Sequence, residues 1–106
     1  MKEITANNTE SFRPFYPGEL IKDELEYRKI QQKEFAKKCG LSYTAFNEVL
    51  NGKRPLSIEL ALTIEAALGI NADMLVRMQT EYNIQVARKN NKIINRLEKK
   101  KKIAAI

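Results

Sequence analysis

Apolar residues fall along this chain in short blocks at helical spacing. The pattern is clearest at 31–55, QQKEFAKKCGLSYTAFNEVLNGKRP. Phe35, Ala36 and Cys39 sit at i, i+1 and i+4, one side of a helix, and Gln32, Lys33, Lys37 and Lys38 take the other. Gly40 predicts the stop, because glycine enters the left-handed conformation after a helix without a steric penalty. Leu41 follows as an apolar plug, and Ser42 is a good N-cap for a second helix. There Ala45, Phe46, Val49 and Leu50 predict a narrow buried stripe, with Tyr43, Thr44, Asn47, Glu48 and Asn51 facing out. Asn51-Gly52 ends this helix, and the basic loop GKRPL follows.

The flanking blocks extend the pattern. A first helix is predicted from Pro17, whose missing N–H costs nothing at the first helical position, to about Arg28. Its acids Glu19, Asp23 and Glu24 favour the positive helix end, and Leu20, Ile21 and Leu25 face the core, with Tyr27 and Ile30 closing it. A fourth helix runs from the Ser57 cap to Gly69 on Ala61, Ile64 and Leu68, with Leu60 and Ala67 beside them. A fifth starts after the Asn71 cap with Leu75, Met78, Tyr82 and Val86, and Ile93 and Leu97 continue the seven-residue spacing. That stripe outruns what four small helices need to cover, so the surplus is expected to bury against a second copy, giving a homodimer. Residues 88–106 are expected to form a basic, amphipathic helical tail. Residues 1–16 show no helical stripe and read as a flexible arm, with Phe12, Phe15 and Tyr16 as candidates for packing on the core or a partner.

Charge changes the picture through its location. Of the net +6, residues 88–102 carry eight basic side chains against Glu98 alone, or +7; the other 11 basic and 12 acidic side chains give −1. The basic balance therefore belongs to the tail and is no support for a binding role of the helices before it. The tail has three open readings: non-specific phosphate attraction, a hold on an acidic partner surface, or solubilisation. With no histidine and one cysteine, a zinc finger, another His/Cys metal site and an internal disulfide are excluded. Cys39 reads as a core thiol. No cofactor is expected. An enzyme is not expected either, since no glycine-rich phosphate loop or paired nucleophile and base is present. The absence of a membrane span and of a signal-peptide h-region predicts a cytoplasmic protein.

The polar side of the second short helix is what points to a function. Nine residues at about 1.5 Å each make a rod of about 13 Å, suited to a DNA major groove about 12 Å wide. The turn before it has the length and the glycine of a DNA-binding helix-turn-helix. Asn47 can bond an adenine edge in bidentate fashion, Thr44 can meet a thymine methyl or a base edge, Tyr43 can reach a base or a phosphate, and Glu48 can accept from a cytosine amine. Ser42 and the helix N-terminus suit a phosphate, as do Lys53 and Arg54 in the loop. The helix has no arginine or lysine for the commonest hold on guanine, and Glu48 adds negative charge near phosphates. These features predict modest affinity per half-site and an A/T-leaning palindromic operator read by a dimer.

Residues 31–55 resemble the helix-turn-helix of the phage-repressor-like (XRE, or Cro/C1-type) family. Over 17–87 the chain is similar to HigA-type antitoxins of toxin–antitoxin modules: PGELIKDEL at 17–25, KEFAKKCGLS at 33–42, NGKRPLS at 51–57, ALTIEAALGI at 61–70 and the helix through Tyr82 carry the likeness. The resemblance implies an all-α fold, a five-helix phage-repressor-like domain over 17–87 with a C-terminal helical extension. It implies that Gln32 bonds a backbone phosphate and buttresses the recognition helix, and that Tyr43, Thr44 and Asn47 occupy base-reading positions. The site set is thus Gln32, Ser42, Tyr43, Thr44, Asn47, Glu48, Asn51, Lys53 and Arg54. The resemblance further implies repression of the chain's own operon and neutralisation of a small ribonuclease toxin. The alternatives are a stand-alone phage or mobile-element regulator and a protein-interaction module that has lost DNA binding.

Overall fold

A computed structural model describes residues 15–101 and 103–105. Six α-helices follow one another: α1 Pro17–Tyr27, α2 Gln32–Lys38, α3 Tyr43–Leu50, α4 Ile58–Leu68, α5 Ala72–Arg88 and α6 Asn91–Lys99, with a 3-10 turn at Ile103–Ala105. No strand occurs among the described residues, and the helices fall where the apolar blocks predict them, in the all-α arrangement with a helical extension that the resemblance implies.

One core joins α1 to the first turn of α5. Ile21 and Leu25 of α1, Phe35 and Ala36 of α2, Phe46, Val49 and Leu50 of α3, Leu56 of the loop, four residues of α4, and Ala72 and Leu75 of α5 are buried together. The Phe35 and Phe46 rings lie 5.5 Å apart and lock α2 to α3. Gly18 lets α1 lie directly on α3: a Cβ there would sit 2.1 Å from the Val49 carbonyl oxygen and 2.8 Å from the Leu50 Cα. Arg28 ties α1 to the end of α4, donating from Nη2 to the Leu68 carbonyl at 2.7 Å while its Nε donates to Glu24 at 2.7 Å.

The predicted caps are in place. Ser42, Ser57 and Asn71 each accept a bond from the third residue into α3, α4 and α5, and Gly40 has φ +70°. Four expectations need correction. Tyr27 does not close the core; it is 85 % exposed, because it lies two residues, about 200° of helix turn, from Leu25. Ala67 is exposed at the edge of the α4 stripe. Cys39 is half-buried at the rim of the core and not within it. The long apolar stripe is also interrupted: α5 stops at Arg88, and the Asn90 side chain accepts from the Lys92 and Ile93 amides at 3.0 and 3.3 Å, starting α6 afresh. A capping asparagine outcompetes continuation where no packed residue holds the helix together. Val86 and Leu97 remain 44 % and 55 % exposed. Of the residues read as an arm, Phe15 is half-exposed and Tyr16 packs edge-on against Tyr82, centroids 5.6 Å apart; Phe12 and the rest of 1–14 lie outside the described residues.

Candidate nucleic-acid interface

Helix α3 stands on its apolar side. Phe46, Val49 and Leu50 are buried and Ala45 half-buried, so the rod cannot roll without opening the core. Its outer side is open: Tyr43, Thr44 and Asn51 are exposed, and Asn47 and Glu48 half-exposed. At the start of the helix the Ser42 hydroxyl oxygen accepts from the Ala45 amide at 3.2 Å, which leaves its O–H free to donate outward.

The structure brings the other predicted site residues around this face. Gln32, the first residue of α2, accepts from the Asn47 side-chain amide at 3.4 Å, longer than usual, so it steers Asn47 more than it fixes it. Asn51 is engaged inside the molecule: its Oδ1 accepts from Lys22 Nζ at 2.9 Å and its Nδ2 donates to the Asn47 carbonyl at 2.9 Å. It therefore closes the end of α3 and couples it to α1. Glu48 is joined to Arg54, whose Nη2 lies 2.7 Å from Glu48 Oε1. Lys53 is exposed in the loop, with no ion pair among the described residues.

Two supporting residues, Lys22 and Gln79, escape a reading of the sequence, and Tyr16, a candidate there for packing on the core, joins them. Lys22 holds Asn51 from 29 positions away. Gln79 of α5 accepts from the Leu56 amide at 2.8 Å and donates to Asn83 at 2.9 Å, which fixes the loop after α3. Tyr16 lies against the turn at Gly52, where an added Cβ would meet its ring at 3.0 Å. Polar partners this distant leave no periodic trace; only the burial of the loop at Leu56 hints that its amide needs an acceptor.

The site is thus two short helices, a three- to four-residue turn entered through a left-handed glycine, and a pinned second helix with an open polar side. The family model described as Helix-turn-helix matches residues 21–75, from the middle of α1 into α5. The chain belongs to the helix-turn-helix family. Among solved structures, this helix-turn-helix protein is similar to an addiction module antidote protein of the HigA family from Coxiella burnetii, with a TM-score of 0.72, 28 % identity, and coverage of 83 % of this chain and 95 % of that one. It is also similar to the Pseudomonas aeruginosa antitoxin HigA, solved with the higBA promoter: TM-score 0.67, 26 % identity, 72 % of this chain and 84 % of that one. A curated relative is the HTH-type transcriptional regulator YddM of Escherichia coli, 25 % identical over 73 residues, 69 % of this chain and 78 % of that protein. Among the described residues of the helix-turn-helix protein, no helix is long and apolar enough to cross a membrane.

Proposed function

We propose that this chain is a sequence-specific DNA-binding repressor of the HigA antitoxin type. The observation that carries the reading is the open polar side of α3 on a helix whose other side is locked in the core. A rigid rod of that size places its side chains at base edges without paying to order itself first. In this reading residues 17–87 form the DNA-binding domain, Tyr43, Thr44 and Asn47 meet bases, and Ser42, Gln32 and Lys53 meet phosphates. Residues 88–106 form a basic tail. The solved HigA with its promoter lends support, since its fold is similar to that of this chain.

Two partners follow. A second copy, docked through the exposed apolar residues of α5 and α6, would present two recognition helices to a palindromic operator. A small ribonuclease toxin is the second partner, on the strength of the antidote and antitoxin neighbours. The chemistry proposed is binding alone, in the cytoplasm where the operator and toxin are met.

The test is a binding titration on the chain's own promoter fragment at rising salt, with and without the product of the neighbouring reading frame. Specific binding that weakens steeply with salt is expected, through counterion release. Asn47→Ala should cost about 1–3 kcal/mol of discrimination at one base pair, while Lys53→Ala weakens all sequences alike. Equal, weak binding of promoter and unrelated DNA by the wild type would remove the repressor reading and leave an interaction module.

A further inference from the structure

Helix α3 carries no arginine or lysine, yet a guanidinium is bonded to its half-exposed Glu48. It belongs to Arg54, two residues past Gly52, whose side chain folds back over α3. Arg54 Nε donates to Glu48 Oε1 at 2.9 Å, and Nη2 approaches the same oxygen at 2.7 Å. Glu48 stands one turn beyond Thr44 on the same side of α3, so the carboxylate ties the loop arginine to the helix side that carries Thr44. We propose that Arg54 reads a guanine from this position and that Glu48 is the positioning residue that aims it. The inference rests on the DNA-binding function proposed above and adds the base that the α3 sequence alone does not supply.

The donor geometry supports a base over a phosphate. A guanidinium has five N–H groups in a fixed fork. Two point at Glu48; the remaining three have no partner among the described residues, and two of them form the Nη1–Nη2 edge. That edge matches the O6 and N7 acceptors of guanine, the commonest specific contact in the major groove. A phosphate, by contrast, rewards net positive charge, and the charge of Arg54 is offset by the carboxylate that grips it. Lys53 beside it keeps its charge and suits the phosphate. The Arg54 and Glu48 side chains are 54 % and 38 % exposed, and an ion pair so open adds little to stability, which leaves its orienting effect as the larger consequence. The operator is then A/T-leaning except for one G·C pair in each half-site.

Selection of bound sequences from a random pool tests this, using the full-length wild type, Arg54→Lys, Arg54→Ala and Glu48→Gln, followed by affinities for matched and G·C-substituted sites. The wild type should select one G·C pair per half-site. Arg54→Lys and Arg54→Ala should lose about 5- to 150-fold of preference there. Glu48→Gln should lose part of the same preference while binding random DNA no more weakly, since it removes a negative charge; a merely structural Glu48 would leave base preference unmoved. Thermal midpoints close to wild type confirm that the variants are folded. Arg54 variants that weaken every sequence alike, with the selected base unchanged, make Arg54 a phosphate ligand and overturn the assignment. A wild type that selects no sequence at all overturns the DNA-binding function together with it.

Discussion

From Pro17 to Leu75 every helix gives one side to a shared core, whereas no described residue after Leu75 is buried. The two regions also divide the charge. The chain outside 88–102 sums to −1, and 88–102 to +7. Burial and positive charge are thus segregated along the chain. The buried region can hold side chains at fixed positions, which reading a sequence requires, but has little charge with which to attract DNA. The basic limb has the charge but, with Ile84, Val86 and Leu97 exposed and Ile93 and Ile94 only half-buried, has no buried residue to anchor it. If the chain binds DNA as proposed, specificity and attraction should be separable properties, each removable without the other.

The largest expected contrast is in the core. Phe46 is almost wholly buried against Phe35, so Phe46→Ala should cost about 3–5 kcal/mol, a large share of the stability of a small domain. Leu97→Ala on α6 should cost no more than about 0.5 kcal/mol in the isolated chain, as for surface positions generally. Chemical denaturation of both variants measures the difference; equal losses would mean that α6 is part of the core and that the contrast is false. Gly18→Ala comes next. The new methyl would meet the α3 backbone, which cannot rotate away as a side chain can, so a loss of about 3 kcal/mol, the upper end for overpacking, should appear in the same experiment.

Those two positions also show what can be read in advance. Phe46 is legible, because i, i+1, i+4, i+5 apolar spacing fixes the buried side of α3 before any fold is known. Gly18 is not: it reads as a helix-opening PGE triplet, and only the crossing of α1 over Val49 and Leu50 shows why no side chain fits. The turn after α1 is equally hidden, since Lys29 takes the left-handed conformation at φ 60° where glycine would have announced it. The limb misleads in the opposite direction. Seven-residue spacing carries the stripe through Ile93 and Leu97, but periodicity cannot weigh the local bonds of Asn90 against a helix that nothing packs upon. At the candidate site the outward residues of α3 are legible, whereas the fold-back of Arg54 onto Glu48 depends on the path of the loop.

A smaller effect sharpens the division of charge. Replacing Lys99, Lys100 and Lys101 by glutamine should weaken binding to all DNA sequences alike. It should also flatten the dependence of log affinity on log salt by about one for each phosphate no longer neutralised, leaving base preference intact. An altered base preference would place the limb in the groove and end the separation of specificity from attraction. An unchanged salt slope would make the lysines a solubilising face.

Helix caps provide the smallest and most direct comparison, because the same bond occurs in both regions. The Ser57 hydroxyl oxygen accepts from the Leu60 amide at 3.0 Å at the head of α4, and the Asn90 side chain accepts from Lys92 and Ile93 at the head of α6. Either bond is worth about 1 kcal/mol to its own helix. Helix α4 unfolds only with the core, since Leu60, Ala61, Ile64 and Leu68 are buried in it, so Ser57→Ala should lower global stability by about that amount. Helix α6 has no buried residue and can open alone. Asn90→Ala should therefore leave the thermal midpoint of the isolated chain unchanged and instead speed amide exchange over 91–99, where local opening sets the rate. If Asn90→Ala lowered the midpoint as much as Ser57→Ala, the limb and the core would be one cooperative unit, and a dimer that buries α6 would be the physical reason to look for first.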